Sequence, residues 1–264
     1  MQRIINGLHV FLDGESKNIP IVFVHGFPFD HFMWDEQVKA LIENYYCIRY
    51  DIRGLGSSPA GDGQFTMEMF VDDLENIINE LRLDRSILCG LSMGGYISLR
   101  AVERMENKFR ALILCDTKSS ADDNEGRLKR AAAVKQINSG AFDPFIETFV
   151  LNCFGEKFVS ENNTEYRKVV ERSKKNTPLG VKGGLLAMAG RTDTTNHLSK
   201  IKLPALIIAG SEDKLTPPSV MKPMSDQIPS SKFVTVEGAG HMTPIENPKE
   251  VYKSIKDFLI KNKL

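Results

Sequence analysis

Ser86-Ile87-Leu88-Cys89-Gly90-Leu91-Ser92-Met93-Gly94-Gly95 joins an apolar run to a serine among glycines, and the residues from Met93 to Met105 have the composition of a helix. A short apolar run closed by such a turn reads as a buried strand, so Ser92 falls at a strand-to-helix junction. In that context the G-x-S-x-G pattern is a nucleophile elbow. A tight, strained turn lifts the hydroxyl clear of the sheet, and glycines at 90, 94 and 95 let neighbouring backbone come close. A Gly/Ser-rich turn that merely opens a helix would share the pentapeptide, so the other motifs have to decide between the two.

Three further segments bear on it. Ile21-Val22-Phe23-Val24 is an apolar strand ending in His25-Gly26-Phe27-Pro28, where the N–H of Phe27 can turn inward. Paired with the N–H of Met93 it would make an oxyanion hole, in which losing one donor costs about 3 to 4 kcal/mol of barrier. Pro204 to Gly210 is another buried strand and delivers Ser211-Glu212-Asp213 to the same sheet edge. After the strand Phe233 to Val236, the loop Glu237-Gly238-Ala239-Gly240-His241-Met242 presents a histidine among glycines. A serine hydroxyl is a weak nucleophile until a base takes its proton, and the base needs a third group to fix its tautomer. Ser92, Asp213 and His241 supply these types in the chain order serine, acid, histidine. Two other carboxylates compete with Asp213: the adjacent Glu212, and Asp116, directly after the strand Ala111 to Cys115. Among the histidines only His241 follows a late strand. His25 is read as a brace of the oxyanion loop, His9 as part of an N-terminal edge strand, and His31 and His197 as surface or cap residues.

With Trp34 downstream of the first loop and Asp51-Ile52-Arg53-Gly54-Leu55-Gly56-Ser57-Ser58 after the next strand, these motifs resemble the α/β-hydrolase superfamily over nearly the whole chain. The texture is that of its small esterase, lactonase and cofactor-free haloperoxidase-like branch. The resemblance implies an α/β fold, a mostly parallel twisted sheet with helices on both faces. It also implies a hydrolase core over 1–116 and 198–264 and a helical cap over 117–197, inserted after the sixth strand. By resemblance Ser92 is the nucleophile, His241 the general base and acid, and Asp213 the group that orients the imidazole. Phe27 and Met93 give the oxyanion-hole N–H groups, and the Phe27-Pro28 bond is cis. The implied reaction is cleavage of a carboxylic ester of a small or acyl-chain substrate through an acyl-enzyme. Enol-lactone hydrolysis, cleavage of a methyl ester on a carrier-bound acyl chain, perhydrolysis and carbon–carbon bond hydrolysis use the same residues. Ser92 argues against the haloalkane dehalogenases and epoxide hydrolases, which place an aspartate there. A non-catalytic small-molecule receptor is the reading from another class, and the intact serine, acid and histidine set disfavours it.

Composition agrees with a soluble globular enzyme. The 264 residues are 42% apolar and 26% charged, with a formal net charge of zero. No basic stripe suggests nucleic acid as a partner. No run approaches the ~18 apolar residues of a membrane span, and the start Met1-Gln2-Arg3-Ile4-Ile5-Asn6 lacks a signal-peptide core, so a cytoplasmic protein without a membrane partner is expected. Cys47, Cys89, Cys115 and Cys153 read as free thiols, three of them in core strands. Neither C-x-x-C nor H-E-x-x-H spacing occurs, so no metal and no cofactor are expected.

The helical signals are specific. Thr66 can cap a helix whose stripe Phe70, Leu74, Ile77, Ile78 and Leu81 is core, leaving Asp72, Asp73, Glu75 and Glu80 for solvent. The last helix opens with Asn247-Pro248-Lys249-Glu250 and buries Val251, Ile255, Phe258 and Leu259. Between Thr117 and His197 the strand signal vanishes and helical stretches such as Arg127 to Ile137 and Asn163 to Lys175 take over. From Lys118 to Asp193 thirteen Lys or Arg face ten Asp or Glu, a surplus of three. Such a surplus is normally a solvated face, with attraction of an acidic substrate or an acidic carrier protein as the sharper alternative. Phe27, Phe29, Trp34 and Met93, with Phe142, Phe145 and Phe149 from the cap, could line an apolar pocket for a small ester or lactone, or could simply be packing.

Overall fold

The computed structural model describes residues 1–264. Its centre is one eight-stranded sheet: β1 (Gln2–Ile5), β2 (Leu8–Asp13), β3 (Ile19–Val24), β4 (Tyr45–Tyr50), β5 (Ser86–Leu91), β6 (Phe109–Cys115), β7 (Ala205–Gly210) and β8 (Ser231–Val236), in the spatial order β1-β2-β4-β3-β5-β6-β7-β8. The two pairings that involve β2 are antiparallel and the others parallel. β5 is buried at all six positions because it lies between β3 and β6 and is covered on both faces, which is why its sequence is a continuous apolar run. The chain first steps outward from β3 to β4 and then returns to place β5 on the other side of β3. Such a reversal opens a crevice at the carboxyl ends of the strands, where ligands of open α/β sheets bind.

The helices follow their caps. In α2 (Met67–Glu80) the Thr66 side chain accepts from the Met69 N–H, and in α11 (Pro248–Lys261) Asn247 accepts from the Glu250 N–H. Their apolar stripes turn to the core as expected. The other core helices are α1 (Asp35–Leu41), which packs on α11, and α3 (Met93–Met105), which packs on α2 and β5. The β6–β7 connection contains no strand, and its regular elements are α4 (Asn124–Asn138), α5 (Phe142–Cys153), α6 (Glu156–Glu161), α7 (Asn163–Ser173), α8 (Pro178–Ala189) and a 310 turn (Thr195–Lys200). Then come α9 (Pro218–Gln227) and the short α10 (Thr243–Glu246). All four cysteines are buried free thiols, and no helix is long and apolar enough to cross a membrane.

Three readings are corrected. Asp73 is buried, not solvent-facing, because the Arg53 guanidinium reaches it with two hydrogen bonds of 2.6 and 2.9 Å. His31 is buried rather than superficial: it stacks on Phe11 with ring centroids 3.5 Å apart, and its Nδ1 lies 2.7 Å from Asp51 Oδ1. His9 is not on the edge strand, because the hairpin partner β1 lies outside β2.

Glycine is required where β3, β5 and α3 meet. A Cβ on Gly94 would stand 2.2 Å from the Val24 carbonyl oxygen, and one on Gly90 would stand 2.4 Å from the Gly94 carbonyl oxygen. Both obstacles are backbone, so neither can rotate away. Gly94→Ala is expected to destabilise the fold by about 1 to 3 kcal/mol, the usual cost of overpacking. Gly190→Ala, whose Cβ would meet its nearest atom at 3.6 Å, should stay within about 0.5 kcal/mol of the parent. Chemical denaturation of the two variants against the parent checks this, and equal midpoints for all three would refute the steric argument.

Candidate active site

Ser92 stands between β5 and α3 at φ 53° and ψ −115°, a conformation that costs a non-glycine residue on the order of 1 to 3 kcal/mol. Its backbone is fixed on both sides. The Ser92 N–H donates to the Cys115 carbonyl at 3.0 Å, while its own carbonyl accepts from the Tyr96 N–H at 3.1 Å and from Thr117 Oγ1 at 2.8 Å. Met93 is the first residue of α3, and the N–H groups of a helix's first turn have no partner within the helix.

The loop after β3 supplies a second donor through a fixed peptide plane. The Ile52 N–H donates to His25 Nε2 at 2.8 Å, so the ring proton sits on Nδ1, which donates to the Gly26 carbonyl at 2.8 Å. The Phe29 N–H donates to the same carbonyl at 3.0 Å. In a trans peptide the C=O and N–H point in opposite directions. Holding the Gly26 carbonyl therefore aims the Phe27 N–H the other way, and it has no acceptor within the protein. Burial lowers the His25 pKa against the pull of Asp51, which keeps the imidazole in the neutral form this arrangement requires. The Phe27-Pro28 bond is cis.

Asp213, just past β7, meets His241, just past β8. Asp213 Oδ2 lies 2.8 Å from His241 Nδ1 and accepts from Thr216 Oγ1 at 2.7 Å, while Oδ1 accepts from the N–H groups of Leu215 and Thr216 at 2.8 and 3.0 Å. Burial penalises this carboxylate, but the facing imidazole and the Thr216 donors outweigh it and bring its pKa down to about 2. Burial also works against an imidazolium at His241, and the Asp213 charge and hydrogen bond overcome it, so the His241 pKa is raised. With Nδ1 donating to the carboxylate, Nε2 carries the free lone pair. Of the three acids weighed in the sequence, only Asp213 bonds the histidine. Glu212 is exposed, and Asp116 is turned to the Gly210 N–H at 2.9 Å and Thr243 Oγ1 at 2.5 Å.

Ser92 and His241 open onto one cavity of about 620 Å³. Phe27, Tyr96, Phe145, Phe149, Leu185 and Met188 form its apolar wall, so α4, α5 and α8 stand over the carboxyl ends of the strands. Several expected lining residues lie elsewhere. Trp34 is fully buried with its ring 5.3 Å from that of Phe23, a core contact. Phe29 faces a different cavity, between the 310 turn at His31–Trp34 and α7. Phe142 packs on the hydrophobic core from the outer start of α5. Met93 is buried and brings only its backbone to the site. Conversely, Thr216, Tyr96, Lys118 and Arg130 were not singled out from the sequence. Thr216 alone left a local trace there, a hydroxyl three residues after Asp213.

A family model described as the alpha/beta hydrolase fold matches residues 19–248. The chain is 28% identical over 252 residues to a 3-oxoadipate enol-lactonase of Acinetobacter baylyi, covering 96% of this chain and 92% of that protein. It is 25% identical over 276 residues to a non-heme chloroperoxidase of Kitasatospora aureofaciens, covering 97% and 98%. Among solved structures it superposes on a thermophilic esterase from Thermogutta terrifontis with a TM-score of 0.92 and 30% identity, covering 99% of this chain and 98% of that one. With a serine on a strained strand-to-helix turn, a histidine and acid on the loops after the last two strands, and a family match that spans most of its length, the chain belongs to the α/β-hydrolase fold family.

Proposed function

We propose that this chain is a serine hydrolase that cleaves carboxylic esters of small or acyl-chain substrates through an acyl-enzyme, with Ser92 as nucleophile, His241 as general base and acid, and Asp213 as its orienting partner. The observation that carries the reading is the His241–Asp213 pair, 2.8 Å apart and buried, with its histidine on the cavity that also holds Ser92. His241 Nε2 takes the Ser92 proton as Oγ attacks the ester carbonyl. The N–H groups of Phe27 and Met93 stabilise the oxyanion, and the imidazolium then protonates the leaving alcohol. Water repeats the sequence on the acyl-enzyme. The helices of residues 117–197 act as the lid. Enol-lactone hydrolysis, in which the leaving enol stays tethered to the acyl group, is the second reading, favoured by the likeness to the Acinetobacter baylyi enol-lactonase over 96% of this chain.

Initial rates on p-nitrophenyl acetate, butyrate and octanoate test the mechanism. Ser92→Ala is expected to reduce turnover by roughly four to six orders of magnitude, given the ~10⁶ loss on removing such a serine; rates unaffected by the substitution would overturn it.

The pH profile tests the assignment of the base. Because the free-enzyme pKa of His241 is raised above the ordinary 6.5, kcat/KM should fall as pH drops through a midpoint above that value. Asp213→Asn removes the charge that raises it and leaves burial, which lowers it. Its midpoint should therefore move down while turnover drops by about 10⁴-fold. An acid limb that keeps its midpoint in Asp213→Asn would reassign the titrating group.

A further inference from the structure

Some exposed cations of the helical insertion pair off, Lys129 with Glu125 at 2.7 Å and Lys168 with Glu165 at 2.7 Å, and others such as Lys135 and Lys157 stand in solvent. Cations withdrawn from solvent lie beside the cavity, where Lys118, Arg130 and Arg191 surround one buried carboxylate, Asp122. Arg191 is committed there: it bonds Asp122 Oδ1 at 2.9 Å, donates to the carbonyls of Met188 and Ser120, and stacks on Tyr96. Arg130 uses only Nε on Asp122, and its two Nη groups have no acceptor within the protein. The Lys118 ammonium has none at all, since the nearest oxygen of Asp122 is 3.7 Å away.

Lys118 and Arg130 both line the cavity that holds Ser92 and His241. Lys118 directly follows Thr117, whose hydroxyl bonds the Ser92 carbonyl, so the side chain springs from backbone tied to the elbow. Its side chain is only 29% exposed, and burial together with Arg191 pulls its pKa down. The opposing charges at the rim are Asp123, exposed and capping α4 through the Gly126 N–H, and Glu125, which pairs with Lys129. Cations with free N–H groups, set beside an apolar wall in a cavity whose own carboxylates Asp122 and Glu125 are already paired, form a receptor for an anion. The fork of a guanidinium beside an ammonium suits the two oxygens of a carboxylate.

We propose that Lys118 and Arg130 form a carboxylate-binding subsite in this cavity, and that the preferred substrate is a small ester or lactone bearing a carboxylate. The substrate class rests on the hydrolase reading; the subsite does not. Binding is therefore measured apart from turnover, by NMR titration of Ser92→Ala with the monomethyl ester of glutaric acid and with its neutral isostere, the methyl ester of glutaric monoamide. The anion should bind about ten-fold more tightly, in line with a charged hydrogen bond, and less so in high salt. Adding Lys118→Met should bring the two affinities together, whereas Lys118→Arg should retain the preference. Equal affinities in Ser92→Ala, no binding of either ester, or a preference indifferent to Lys118→Met would each overturn the subsite. With Ser92 intact, the same preference should appear in kcat/KM and be carried by KM. Anion-selective binding without turnover of either ester would leave the subsite standing and overturn the hydrolase reading.

Discussion

The site depends on a backbone contact that only glycine permits. The ends of β3 and β5 and the first turn of α3 approach so closely that the Gly94 and Gly90 positions have no room for a side chain. That contact forces the chain to turn within one residue, and Ser92 takes up the turn at positive φ. The strain is held by three hydrogen bonds to the Ser92 backbone, two of which come from β6 and the segment that follows it. Local geometry at the nucleophile is therefore a property of three adjacent parallel strands. It would not survive in an isolated strand–turn–helix, where nothing opposes relaxation of φ.

Around this elbow, carboxylates fasten the loops that carry Asp213 and His241 to their neighbours. Asp116, at the end of β6, accepts from Gly210 at the end of β7 and from Thr243 at the start of α10. Glu246 accepts from the N–H groups of Gly155, Gly240 and Met242, joining the histidine loop to the α5–α6 junction of the insertion. A buried carboxylate without donors is costly, so each of these loops is held where its N–H groups are needed. Burial and the neighbouring Asp213 push the pKa of Asp116 well up, and burial raises that of Glu246. Asp213 is the exception, because three donors and a histidine keep it ionised.

The insertion builds the rest of the cavity from two kinds of wall. Phe145, Phe149, Leu185 and Met188 give an apolar surface on the cavity that Ser92 and His241 share. Opposite chemistry comes from Lys118 after β6, Arg130 in α4 and Arg191 after α8, which outnumber the one carboxylate they share, Asp122. These walls come from the insertion, whereas Ser92, Asp213 and His241 stand on loops of the sheet.

Much of this was legible in the sequence because it is encoded locally. Buried strands in a parallel sheet are continuous apolar runs, so β3, β5, β6 and β7 could be read directly, and candidate site residues follow within three positions of the ends of β3, β5 and β7. The caps at Thr66 and Asn247 and the glycines around Ser92 are likewise short-range signals. The acid needed more: the motif pattern favoured Asp213 over the nearby Glu212 and over Asp116, and packing is what turns Asp213 toward His241. Asp73 and His31 were misplaced for the same reason, since their partners Arg53 and Asp51 lie 20 residues away and are reached only after the sheet closes. Pocket lining was the least legible. Trp34 and Phe145 are both aromatic, yet one fills the core and the other faces the cavity, because helix orientation over the sheet is fixed by contacts far apart in the chain. The sequence by itself determined which chemistry was present and on which strand ends it stood. Tertiary structure decided which side chains face one another, since charge pairing and burial depend on distances that no local pattern encodes.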